Sequence, residues 1–335
     1  MPAHDIVCIG ASTGGIAALQ AIMSGLPAGL PATILIVQHV HAADPGYLPE
    51  ILSRAGALPV HLAVDGQAIQ RGLVLVAPAE RHLLVTPSGH VRLSRGPREN
   101  RVRPAIDALF RSAALAFGAR VVGVILTGEL DDGTLGMRTV KLCGGTTVVQ
   151  DPAGADAPSM PRSALQHVKI DHVVSLHDIA PLLSRLTSQQ VSVDANESRM
   201  IMPKELEIEA AIATGDTDAL AGIKTFGEPS LFTCPECHGV LTELREKNPM
   251  RFRCHTGHAF TAATLRQGLQ ETSEEALWST IRILQERAML MSHMAHHARA
   301  GGELAIAEQW DKEAAIAKQT AEQIHRIEGA AGAAE

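Results

Sequence analysis

The stretch DIVCIGASTGG, residues 5–15, decides the fold. Asp5–Ile9 is an apolar run without polar alternation, as a parallel strand buried on both faces should be. It breaks at Gly10-Ala11-Ser12-Thr13-Gly14-Gly15, and Ile16–Ser24 then turns helical. Similar runs follow at Thr33–Gln38, Gly72–Ala77, Val121–Leu126 and Thr146–Gln150, alternating with helical segments at Pro104–Phe117, Thr134–Cys143 and His177–Leu186. The expected fold class is therefore α/β, a mostly parallel doubly wound sheet. Short runs at Val60–Ala63, His82–Thr86 and Val91–Leu93, separated by Gly and Pro, predict a β-hairpin excursion within it.

The glycine-flanked turn suits two chemistries. As a phosphate loop it would let backbone approach a pyrophosphate, but the G-x-G-x-x-G spacing is absent, and the second strand ends in Gln38-His39 where a ribose-binding acid would stand. As a nucleophile turn, Gly10-x-Ser12-x-Gly14 sets a hydroxyl on a tight bend beside backbone N–H groups that can hold an oxyanion. His39 at the end of strand two and Asp132 just after Val121–Leu126 share the carboxyl edge of a parallel sheet with Ser12. A hydroxyl, an imidazole and a carboxylate are the parts of an acyl-transfer triad, though in the chain order Ser, His, Asp. Plainer readings exist: Ser12 as a helix cap, His41 in place of His39, and Asp131 in place of Asp132 with the other acid capping the helix near Thr134. Cys8 and Cys143 sit in apolar settings and read as inert buried thiols.

These residues resemble the catalytic domain of CheB-type protein-glutamate methylesterases of bacterial chemotaxis. IGASTGG, the IVQHV strand end, RPAID at Arg103–Asp107, GVILTG followed by Asp132-Gly133, and MPRSAL at Met160–Leu165 occur in the family's order, across about residues 4–187. The resemblance implies a triad of Ser12, His39 and Asp132, with oxyanion and support positions at Thr13 and Glu129. It implies as substrate the γ-glutamyl methyl esters on the cytoplasmic helices of chemoreceptors, with deamidation of receptor glutamines in some relatives. It implies no catalytic cofactor. The family commonly has Met where Glu129 stands and Ser where Ala105 stands, and a carboxylate at 129 would oppose developing negative charge. That departure sustains an alternative, a non-catalytic signalling or docking module that binds methylated or acidic helices. The family's N-terminal receiver domain is not expected, because strand one begins at Asp5, so phosphorylation control in cis is expected to be absent.

A second constellation lies downstream. Cys234-Pro-Glu-Cys237 is followed, after sixteen intervening residues, by Cys254-His-Thr-Gly-His258. Two such turns match a closed structural Zn²⁺ site of Cys234, Cys237, Cys254 and a histidine. His258 suits the turn, and His255, directly beside Cys254, would be cramped. A redox C-x-x-C would need a thioredoxin-like context, which is missing. The block is too short to fold without its metal.

The expected layout is a methylesterase-like domain over 1–187, a polar linker over 188–203, a short helical connector over 204–230, a zinc-ribbon-like Cys/His module over 231–262 and a helical hairpin over 263–328. Ile281, Leu284, Ala288, Met291 and Ala295, then Ile306, Trp310, Ala314, Ala317, Ala321 and Ile324, trace the two hairpin helices around Gly301-Gly302, with Met289, Met291 and Met294 read as hairpin core. The linker is polar and long enough for this appendage either to fold back or to swing free, and the appendage reads as a recruiting element that docks a signalling protein. Its removal after Leu186 is expected to change turnover of a soluble ester only a few-fold.

Over 335 residues, 46% are hydrophobic and 19% charged, which excludes a disordered chain. No apolar run approaches the roughly 18 residues of a membrane span, so no membrane insertion is expected. A net charge of −7 with two Trp, one Tyr and six Phe argues against nucleic acid as a partner. Five cysteines, an odd number, and an N-terminus without a basic secretion signal point to a reducing, cytoplasmic setting.

Overall fold

The computed structural model describes residues 3–191 and 203–332. Seven strands form one all-parallel sheet: β1 (Ile6–Ala11), β2 (Thr33–Gln38), β3 (Val60–Leu62), β4 (Val74–Val76), β7 (Val121–Ile125), β8 (Thr146–Gln150) and β9 (His172–Val174), in the order β3-β4-β2-β1-β7-β8-β9. β5 (His82–Val85) and β6 (Val91–Ser94) pair as an antiparallel hairpin outside it. Val60–Ala63 does not belong to that excursion. It supplies the edge strand β3, in which His61 and Leu62 are exposed, and three residues carry too little pattern to name their partner.

Side chains of β1 alternate between two cores. Val7, Ile9 and Ala11 pack under α1 (Gly15–Gly25) and α6 (Leu176–Thr187), which lie on one face with α2 (Leu48–Ala55). Ile6 and Cys8 pack under α3 (Ile106–Phe117) and α4 (Thr134–Leu142), beside α5 (Ser159–His167). Both faces are covered, which is why the strand sequences lack polar alternation. The order of connection reverses at β1, so the loops after β1 and β7 diverge and open a crevice at their carboxyl ends.

Residues 192–202 of the expected linker lie outside the described residues. Beyond them α7 (Lys204–Ala213) leads to an antiparallel sheet of β10 (Gly227–Thr233), β11 (Val240–Lys247), β12 (Met250–Cys254) and β13 (Ala259–Thr261). This part does not swing free: the chain through Leu265 is one compact unit. The contact is a buried charge cluster. Glu99 pairs with Arg111 of α3 at 2.6 Å and with Arg253 of β12 at 3.5 Å, while Glu209 of α7 takes Arg253 at 3.1 Å and also pairs with Arg251. The three arginines hold Glu209 down at about 2 against the effect of burial. Buried charges are stable only when paired, so the small sheet and the large one complete each other's ion pairs.

Residues from Arg266 onward form a second unit, the rest of α8 (Ala262–Ala300) and α9 (Leu304–Gly332). Gly302, at φ +82°, sits between the two helices, where a left-handed residue ends the first. Ala295, Ala298 and Ala307 pack together with Trp310. The methionine stretch is not all core: Met289 is 65% exposed, because small alanines fill the seam between the helices. No helix among the described residues is long and apolar enough to cross a membrane.

Candidate active site

Ser12 follows β1 directly, with its N–H bonded to Thr127 O and its carbonyl held by the Gln38 side-chain amide at 2.9 Å. The same amide reaches His39 O at 3.0 Å, tying the ends of β1 and β2 together. Ser12 does not cap α1. The cap position is Gly14, at φ +76°, and no side chain bonds the helix end there. Gly128 must be glycine, since a Cβ there would meet Met160 Sδ at 2.2 Å and Ser12 Cβ at 2.8 Å.

His39 Nε2 lies 2.8 Å from Asp132 Oδ2. Asp132 is buried and also accepts from Ile106 N at 2.7 Å, Gly133 N at 3.0 Å, Asp107 N at 3.2 Å and Asn100 Nδ2 at 3.1 Å. Burial alone would raise its pKa, but the His39 bond and these donors bring it below the ordinary value, so the group is a carboxylate. Burial pushes Asp107 well up, and the charge of Asp132 adds to that. Asp131 takes no part in this pairing. Burial raises it to about 6, its side-chain partner is Thr261 of β13, and it does not cap α4. His41 is exposed.

The backbone N–H groups of Thr13 and Glu129 donate to no protein acceptor among the described residues, which leaves them for a ligand oxygen. The Glu129 carboxylate is exposed and accepts from Ser159 Oγ at 3.0 Å, a setting in which water and salt screen its charge. Sequence reasoning missed Asn100, whose amide also donates to Asp107 Oδ2 at 2.9 Å. Its one signal was a polar residue three positions before RPAID. Gln38 was visible within IVQHV but carried no assigned role.

Cys234, Cys237, Cys254 and His258 bring their ligand atoms within 4.8 Å of one another. Cys237 Sγ to Cys254 Sγ is 3.6 Å, and His258 Nδ1 lies 3.7 Å from Cys234 Sγ and 3.6 Å from Cys254 Sγ. A tetrahedron with Zn–S near ~2.3 Å and Zn–N near ~2.0 Å has edges of about 3.5–3.8 Å, so the set is compatible with Zn²⁺. His255 lies instead against Gly239, where an added Cβ would meet its ring at 2.0 Å.

The family model for CheB methylesterase matches residues 7–183. This chain belongs to the CheB methylesterase family. A Leptospira interrogans relative is 39% identical over 183 residues, 55% of this chain and 95% of its own length. A Moorella thermoacetica protein-glutamate methylesterase/protein-glutamine glutaminase is 41% identical over 192 residues, 56% of this chain and 45% of that protein. The crystal structure of the Thermotoga maritima CheB methylesterase catalytic domain superposes with a TM-score of 0.52 at 36% identity, covering 54% of this chain and 98% of that one. As a CheB methylesterase the chain is a carboxylic ester hydrolase, and the family needs no catalytic cofactor. The residues after 187 lie outside the family match.

Proposed function

We propose that this chain hydrolyses γ-glutamyl methyl esters on the cytoplasmic helices of chemoreceptors, with Ser12 as nucleophile, His39 as base and Asp132 as its anchor. The observation that carries the assignment is the His39–Asp132 pair at 2.8 Å, at the sheet edge where Ser12 leaves β1. With Nε2 held by Asp132, Nδ1 is the nitrogen left for Ser12. In this reading Nδ1 takes the Ser12 proton as Oγ attacks the ester carbonyl, and the N–H groups of Thr13 and Glu129 hold the oxyanion. The carbonyl re-forms, methanol leaves with the proton from His39, and water repeats the cycle on the glutamyl-enzyme. The non-catalytic alternative rested on Glu129, and the exposed, Ser159-bonded carboxylate removes its main support.

Three finer assignments belong to the same proposal. The protein works in the cytoplasm. One structural Zn²⁺ is held by Cys234, Cys237, Cys254 and His258 as the folding energy of a zinc ribbon. A signalling protein docks on the C-terminal part. The test of the activity is methanol release from methylated receptor: wild type should release it and Ser12→Ala should not. Equal release by the two would refute the nucleophile, and no release by wild type would refute the substrate.

A further inference from the structure

The turn that carries Asn100 is held from outside the catalytic sheet. Asn100 and Arg101 have φ of +52° and +68°, a left-handed pair that side chains other than glycine rarely adopt, and Val102 N closes the turn on Glu99 O at 3.0 Å. Such a conformation persists where surrounding contacts enforce it. Here they come from β13 and the start of α8. Asn100 N donates to Ala259 O at 2.8 Å, and Ala259 N donates to Arg98 O at 3.2 Å. Thr264, fully buried, closes its own turn with Oγ1 at 3.2 Å from Thr261 O and 3.1 Å from Thr261 Oγ1, and the same oxygen stands 3.5 Å from Asn100 Oδ1. Asp132 is a carboxylate and can only accept, so Nδ2 faces it and Asp107 while Oδ1 is left on the Thr264 side. Glu236, inside the first cysteine turn, reaches Arg98 and Arg101 of the same segment at 3.8 and 3.7 Å. Ala259 directly follows His258, so a single peptide bond separates the Cys/His cluster from the bridge to Asn100.

We propose that the small C-terminal sheet is a positioning element of the esterase, in which Ala259 and Thr264 hold the Asn100 amide against Asp132 and thereby set the bond that orients His39. The proposal rests on the esterase reading of Ser12, His39 and Asp132. It makes the triad dependent on a part of the chain that the family match does not cover, and it makes metal loading of the Cys/His cluster felt at the active site.

Two experiments on the full chain decide it. In the Zn²⁺-loaded protein, Thr264→Val should lower kcat ten-fold or more on a soluble methyl ester with KM within two-fold. It should also shift or broaden the downfield NMR signal of the His39 Nε2 proton, identified by its loss in His39→Gln. Thr264→Ser should restore both. A Thr264→Val protein with unchanged kcat and signal, or a Thr264→Ser protein equally impaired, would overturn the proposal. Removal of Zn²⁺ by a chelator should speed amide exchange over residues 98–107 and 130–134 while β1 and α1 stay protected. Faster exchange confined to residues 231–262, or spread through β1 and α1, would overturn it as well, and this holds even if Thr264→Val does not fold. If wild type cleaves no ester, the esterase reading falls, while the His39 signal and the exchange pattern still decide the coupling.

Discussion

His39 gives Nε2 to Asp132 at 2.8 Å, and the same carboxylate is fastened by the backbone N–H groups of Ile106, Asp107 and Gly133. The acid cannot swing with the imidazole, so it fixes both the tautomer and the ring plane. Asp132→Asn turns an acceptor into a donor at this crowded point. The expected loss is up to about 10⁴ in kcat with little change in KM, measured on a soluble methyl ester. Asp131→Asn should leave kcat nearly unchanged, and the reverse ranking would move the assignment to Asp131.

Asp131 carries a different prediction. Its folded pKa of about 6 stands above the ordinary 3.8, so folding favours the protonated form and is penalised once both states are ionised. The penalty is absent below pH 3.8, grows through the interval and is complete above pH 6. Asp131→Asn should therefore unfold at higher denaturant than wild type at pH 8, by up to roughly 3 kcal/mol at 1.36 kcal/mol per pH unit, with the difference gone below pH 4.

Glu209 works with the opposite sign. Held at about 2 against an ordinary 4.5, it contributes stability that is complete above pH 4.5 and is lost as the pH falls toward 2. Glu209→Gln leaves Arg251 and Arg253 short of a buried counter-charge, at a cost of about 3–5 kcal/mol near neutrality. Denaturant unfolding at pH 7 and pH 3 should show the gap between wild type and variant narrowing on acidification.

The metal prediction is one Zn²⁺ per chain after exhaustive dialysis. Cys254→Ser should lose it, and His255→Ala should keep it, because His255 packs on Gly239 away from the cluster. Metal analysis of the purified proteins checks both. Retention of a full equivalent by Cys254→Ser would refute the ligand set.

The parallel sheet was legible in sequence because its strands are apolar throughout, and β2 and β8 run over the very residues read from that pattern. The His39–Asp132 pair, at the edge where Ser12 leaves β1, was legible because strand ends in a parallel sheet share an edge. The docking of the small sheet was not, since Glu99, Glu209 and Arg253 read one at a time as ordinary surface charges, and only the fold places them together. Asn100 was hidden for the same reason: its role depends on a left-handed turn and on Ala259, 159 residues further along the chain.

Removal of everything after Leu186 now carries an expectation opposite to that of an appendage that only recruits. The truncated chain keeps the region that covers 98% of the Thermotoga catalytic domain, so its parallel sheet should still form. It loses Arg253 from beside Glu99, Ala213 from against Leu84 and Ala108, and the Ala259 and Thr264 contacts to Asn100. Arg111 still neutralises Glu99, so the fold is weakened rather than abolished, but the left-handed turn at Asn100 and Arg101 keeps only the Val102–Glu99 bond and the Asn100 amide's own bonds to Asp107 and Asp132. Turnover of a soluble methyl ester should fall at least ten-fold, about 1.4 kcal/mol of transition-state stabilisation, with KM little changed. A truncated enzyme that keeps kcat within a few-fold would show that the catalytic sheet holds Asn100 by itself, and one that gains ten-fold would make the C-terminal part a lid.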